Sequence, residues 1–171
     1  RFPVNDTTVA DFYRRPFIYV YNAADTSTVY RRLVADVRRE YESYLYSRLP
    51  IDNDTVTCRM PLVPDTRVTR RMLAERNVFL IGEDFGCHNV RAFAREVAKG
   101  KPRVRAEEVM LTATENPYNS GGMALLYTSG RGSRFKHIIS YPWRHGFRRT
   151  MTKELTKPVS YTHLRAHETL R

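Results

Sequence analysis

The sequence predicts an α/β fold: a three-layer, Rossmann-like or flavodoxin-like parallel sheet with an added C-terminal β-hairpin. Three observations predict it. Over residues 16–100, short runs of β-branched and aromatic residues alternate with helical stripes, the pattern of strands joined by right-handed crossover helices. One of those runs, Asn77-Val78-Phe79-Leu80-Ile81-Gly82, has a fully apolar centre, which suits a strand covered by helices on both faces. Beyond Pro102 the alternation gives way to strand-like runs separated by turn residues.

The elements follow in order. Pro16-Phe17-Ile18-Tyr19-Val20-Tyr21 reads as a buried first strand ending at Asn22. Asp25, Thr26 and Ser27 then supply helix-capping oxygens. Tyr30, Leu33, Val34, Val37, Tyr41, Tyr44 and Leu45 fall on one stripe at helical spacing, and Arg31, Arg32, Asp36, Arg38, Arg39 and Glu40 lie mostly off it, so this is the best-defined helix in the chain. Pro50 and Asp52-Asn53-Asp54 end it.

Residues 55–63 form a second strand that Pro61 assigns to an edge or an irregular end. Pro64-Asp65-Thr66 makes a turn, and Thr69 or Asp65 caps a short helix running through Met72 and Leu73 to Arg76. The apolar strand 77–82 comes next, then a helix from about Asn89 through Val90, Phe93, Ala94 and Val97 that stops at Gly100 and Pro102. Residues 104–112 and 123–128 are strands flanking the turn-rich stretch 115–122, and 135–141 is a further strand after Ser129-Gly130-Arg131-Gly132-Ser133.

The chain is 171 residues long with 42% hydrophobic residues, enough for one domain with a real core. Its 29 Lys+Arg against 18 Asp+Glu give a formal charge of +11. No stretch approaches the roughly 18 continuous apolar residues of a membrane span. Two cysteines, Cys58 and Cys87, are too few for a disulfide scaffold or a Cys-rich zinc module, and they fit either redox compartment.

Both ends carry signs of processing or truncation. The chain begins at Arg1 without a signal-like segment, so residues 1–15 are expected to be a lead-in cut from something longer. Residues 16–150 are expected to form a single α/β domain and 151–171 a tail. Within that tail, residues 159–169, Val-Ser-Tyr-Thr-His-Leu-Arg-Ala-His-Glu-Thr, resemble a translated sequencing adapter of the kind met in open reading frames from environmental DNA. On that expectation 159–171 is non-native, and His163 and His167 mean nothing despite the i, i+4 spacing that suits a zinc pair. Removing 159–171 takes out Arg165, Arg171 and Glu168 and lowers the formal charge only to +10, so the basic character belongs to the domain.

In an open parallel sheet, ligands bind past the carboxyl ends of the strands, near helix N-termini. Two loops qualify by position: 22–27, with Asn22, Asp25 and Thr26, and 82–89, with Gly82, Glu83, Asp84 and Asn89. Neither is a dinucleotide fingerprint or a P-loop, and Glu83 and Asp84 put carboxylates where a phosphate wants none; a negative crevice there argues against a phosphate ligand. Cys87-His88 reads as a small half-buried cysteine beside a capping turn, because adjacent side chains diverge and a nucleophile needs a base placed across the fold. Glu83 and Asp84 read as a solvated loop screening nearby arginines, and the glycine-rich 129–133 as a hairpin. There is no Gly-x-Ser-x-Gly elbow and no His-Glu-x-x-His motif, so no catalytic, metal or cofactor residue is assigned.

The arginine pairs Arg14-Arg15, Arg31-Arg32, Arg38-Arg39, Arg70-Arg71 and Arg148-Arg149 are distributed over every element and interrupted by acids. A nucleic-acid binder gathers such charge on one face with aromatics between, so nucleic acid is not the expected partner. Tyr141, Trp143 and Phe147 among Arg144, His145 and Arg148 form the one aromatic-basic patch, read as a segment packing back on the domain.

The segment Val63-Pro64-Asp65-Thr66-Arg67-Val68-Thr69, followed by Arg76-Asn77-Val78-Phe79-Leu80-Ile81-Gly82 and Asn89, resembles the Rossmann-like accessory segment of large bacterial α/β-hydrolase proteins of the prolyl-oligopeptidase and esterase type, whose Pro-Phe-hydrophobic-Val-Tyr strand matches residues 16–21. The likeness covers about residues 10–140. It implies a noncatalytic accessory domain beside a hydrolase catalytic domain in the same polypeptide, and a secreted or periplasmic location. It transfers no catalytic residue, and the family's glycine-rich stretch after the third strand is replaced by Glu83-Asp84-Phe85-Gly86-Cys87. Asp65, Thr69 and Asn89 are then turn and cap residues. A stand-alone small-ligand or phosphate-binding α/β domain and a basic nucleic-acid-associated module are the alternatives.

Overall fold

The computed structural model describes residues 9–46, 61–104, 108–129 and 157–160. Strand β1 (Phe17–Tyr21) and helix α1 (Thr28–Tyr46) follow a 3-10 turn at Val9–Arg14. Next come β2 (Leu62–Pro64), a 3-10 turn at Asp65–Arg67, α2 (Arg70–Glu75), β3 (Asn77–Ile81) and α3 (His88–Ala98). The chain then forms β4 (Glu108–Glu115), β5 (Met123–Ser129) and β6 (Lys157–Ser160). The strand expected at 135–141, the glycine-rich loop 129–133 beyond Ser129, the patch around Trp143 and the histidines 163 and 167 lie outside the described residues.

One six-stranded sheet runs in the order β2-β1-β3-β5-β4-β6. β2, β1, β3 and β5 are mutually parallel, β4 is antiparallel to β5, and β6 is antiparallel to β4. The fold is α/β with helices on both faces. The C-terminal hairpin is the antiparallel pair β4–β5. Its return strand β5 lies directly beside β3 as the fourth parallel strand, and β4 is outboard of it. The sheet therefore gains a parallel strand that no helix leads into directly, because β4 stands between α3 and β5 in the chain. β6 lies in the stretch read as a tail and pairs with residues 108–111 of β4.

Period-two alternation divides the core. Tyr19, Phe79, Ile81, Leu125 and Tyr127 face α1 and pack with its Tyr30, Leu33 and Val37. Ile18, Val20, Val78, Leu80, Ala124 and Leu126 face the other way, against Leu73 of α2 and Val90, Phe93 and Val97 of α3. β3 is buried at all five positions because it lies between parallel neighbours and under helices on both sides. The α1 face is aromatic: Tyr19 stacks on Phe79 at 5.0 Å, and Phe12 approaches both at 6.0 Å. Phe12 comes from the stretch expected as a lead-in and is fully buried.

Buried asparagines fasten the lower rim. Asn77 donates to the Phe12 carbonyl at 2.8 Å and accepts from the Met123 amide at 2.8 Å, joining the N-terminal turn, β3 and β5. Asn116, in the β4–β5 turn, donates to the carbonyls of Leu73 and Arg76 at 2.7 and 3.0 Å, tying that turn to α2. Arg70 stacks over Tyr118 at 4.3 Å and Tyr118 meets Phe93 edge-on, so the same turn also seals the gap between α2 and α3. Thr69 is the cap of α2, its Oγ1 accepting from the Met72 amide at 3.1 Å. Among the described residues no helix is long and apolar enough to cross a membrane.

Candidate functional site at the strand ends

The strand order places β1 between β2 and β3, so the chain leaves β1 in one direction and returns on its other side. That reversal is the topological switch point, where the loops after β1 and β3 converge. The structure brings the two sequence-predicted loops together there and shows what holds them. Asn22, 5% exposed, donates from Nδ2 to the carbonyl oxygens of Glu83 at 2.9 Å and Asp84 at 3.3 Å. Its Oδ1 accepts from the Ala24 amide at 3.0 Å. Asn22 thus uses its side chain on backbone from both loops.

Two further side chains complete the tie. Asp65, fully buried at the end of β2, accepts from the Ala23 amide at 3.0 Å through Oδ1 and from the Cys87 amide at 2.9 Å through Oδ2. Tyr30 of α1 donates its hydroxyl to the Ile81 carbonyl at 2.5 Å and accepts from the Asn22 amide at 2.7 Å. Burial, with Asp25 and Asp65 nearby, raises the Tyr30 phenol above its ordinary pKa, while the hydrogen bond from the Asn22 amide opposes the shift. Gly82 has φ +120°, and a Cβ there would stand 3.1 Å from the Tyr30 hydroxyl, so the chain turns off β3 only because this residue has no side chain. The sequence places Asp65 in a turn or cap and Tyr30 on an apolar stripe; nothing in one sequence shows that a carboxylate and a phenol from separate elements join the two strand-end loops.

The remaining expected residues divide. Asp25 accepts from the Ser27 amide at 3.0 Å, and Ser27 caps α1, its Oγ accepting from the Tyr30 amide at 3.3 Å. Thr26 and Asn89 are exposed, and no hydrogen bond joins them to the tie. Asp84 adopts φ +51°, a left-handed conformation that Asp tolerates better than most residues. Glu83 is half-buried; burial, then the Asp84 and Asp25 carboxylates, push its pKa up to about 7. Cys87 is the N-cap residue of α3, half-buried against the apolar cluster under that helix.

Asp25, Asp65, Glu83 and Asp84 gather at this end of the sheet, and the field there disfavours an anion even though α3 starts beside it. Among the described residues no group of three or more His, Cys, Asp or Glu is placed to hold a metal ion. Burial and the neighbouring carboxylates bring Glu83 toward neutrality, a property that a proton-transferring carboxyl shares. No family model, curated protein or solved structure matches the chain.

Proposed function

We propose that this chain is a noncatalytic α/β accessory domain of a serine-hydrolase-type protein, positioning or covering a catalytic domain in the same polypeptide. The observation that supports this reading is the internal saturation of the strand-end crevice. An α/β sheet ordinarily holds its ligand there, and here the Asn22 amide, the Asp65 carboxylate and the Tyr30 phenol are all bonded to neighbouring backbone. A crevice cross-tied by its own side chains serves rigidity. Its carboxylates weigh against the phosphate-binding alternative. The link to serine hydrolases rests on the resemblance carried by residues 16–21, 63–69 and 76–82.

The test is to recover the reading frame on both sides and to treat the full-length protein and this chain with a fluorophosphonate probe. The reading expects a Gly-x-Ser-x-Gly segment elsewhere in the frame, labelling of that serine, and an unlabelled isolated chain. A complete frame without such a segment, or labelling within this chain, overturns it.

A further inference from the structure

The outer face of α1 presents four arginines together. Arg31, Arg32, Arg38 and Arg39 are all exposed, as is Ala35 between them. At 3.6 residues per turn, positions i, i+1, i+7 and i+8 share one side of a helix, opposite the Tyr30, Leu33 and Val37 stripe that meets the sheet. The sequence counts Asp36 among acids that interrupt this charge. The structure turns that side chain inward, 10% exposed, where it accepts from Arg39 at 2.6 Å and leaves the Arg39 side chain 72% exposed. Glu40 and Glu42 follow toward the C-terminal end of the helix.

We infer that this arginine face of α1 is a docking surface for the phosphate backbone of nucleic acid, bound without regard to base sequence. Charge complementarity chooses the occupant. The two arginine pairs are seven residues apart, about 10.5 Å along the helix axis, which equals about three base-pair rises of about 3.4 Å along a duplex axis. All four cations are arginines, whose planar forks bond phosphate oxygens in pairs. Among the described residues Val29 is the exposed large hydrophobic side chain, so the surface offers charge without the apolar area that a membrane-inserted helix or a protein interface core needs. This inference is independent of the hydrolase reading, since it uses the outer face of α1, opposite the side that Tyr30 presents to the sheet and the strand-end tie.

The test measures anisotropy of a labelled random 20-base-pair duplex with the whole chain over a salt series from about 50 to 200 mM. Neutralising two phosphate contacts fewer lowers the log–log salt slope by about 1.8. Arg31→Gln with Arg38→Gln should therefore reduce the slope by about that amount and weaken binding at low salt by about tenfold or more. These exposed substitutions leave the core side of α1 intact, which circular dichroism verifies. Arg71→Gln with Arg95→Gln removes the same charge from α2 and α3 and should leave both quantities nearly unchanged. Absence of binding at about 50 mM salt, an equal loss in the second pair, or tighter binding to vesicles containing phosphatidylserine than to the duplex overturns the inference.

Discussion

Replacing Asn22 by Asp exchanges one donor for an acceptor at the centre of the strand-end tie. The amide nitrogen stands 2.9 Å from the Glu83 carbonyl oxygen and 3.3 Å from that of Asp84. A carboxylate in the same place loses both bonds, each worth about 1 kcal/mol net, and sets negative oxygen against carbonyl oxygen at that separation. Asp25, Glu83 and Asp84 add like charge. A loss of about 3–4 kcal/mol at pH 7 follows, against about 2–3 kcal/mol for Asn22→Ala, which loses three bonds but introduces no repulsion. The two variants also differ in pH response. A protonated carboxyl can donate to Glu83, so the folded state raises the pKa of the introduced group; its contribution is present at low pH and is lost as pH rises through that folded value. Urea melts at about pH 4.5 and 7.5 measure this, and the Asp variant should approach the Ala variant at the acid end once wild type at each pH is subtracted. Wild-type stability for Asn22→Asp at pH 7, or a loss below about 0.5 kcal/mol for Asn22→Ala, would refute the bonding pattern as the source of loop order.

Other consequences concern the same end of the sheet. Tyr30→Phe removes a buried hydroxyl bonded to both the Ile81 carbonyl and the Asn22 amide and should cost about 2–3 kcal/mol, read by thermal melting as a fall of roughly 4–10 °C; a neutral result would show that water replaces the phenol. Gly82→Ala places a methyl against Tyr30 at φ +120° and should cost about 2 kcal/mol or more, whereas Gly100→Ala, with φ +72° but open space, should cost less, the two being compared by urea midpoint. Glu83 has its folded pKa raised to about 7 from 4.5, so the folded state binds the extra proton between those values and stability falls as pH rises across them. Because the group is half-exposed, solvent screening reduces the effect to about 1 kcal/mol; Glu83→Gln should abolish that part of the pH dependence in urea melts at pH 4.5 and 7.5, and an unchanged slope would assign it elsewhere.

The stretches most legible in the sequence are those whose physics is local. The α1 stripe from Tyr30 and the apolar run 77–82 each became the element expected, since periodicity along one segment sets which face is buried. Thr69 took the capping role and Asp65 did not, because Asp65 is drawn to the Ala23 and Cys87 amides, 42 and 22 residues away in sequence. The alternation of strands and helices puts loops 22–27 and 82–89 each past a strand end, and the strand order makes them neighbours. That Asn22 is inward and bonded, while Thr26 and Asn89 are exposed, depends on backbone positions that no spacing rule supplies. Phe12 is unreadable for a similar reason: one aromatic in a polar stretch has no period, and its burial comes from packing on Phe17, Tyr19 and Phe79, with Asn77 holding its carbonyl.

By itself, then, the sequence determined the α/β class, the parallel arrangement of the first strands, the location of the strand-end loops and the basic charge, all consequences of short-range pattern and composition. Tertiary structure alone decided that β5 enters beside β3, that Asp36 turns inward so that α1 shows an arginine face, and that the two strand-end loops are cross-tied. The strand-end tie is a matter of which polar groups from distant segments satisfy one another once water is excluded, and the inward Asp36 of an i, i+3 pair on one helix. The cost of leaving a buried donor or acceptor unpaired then selects a single arrangement.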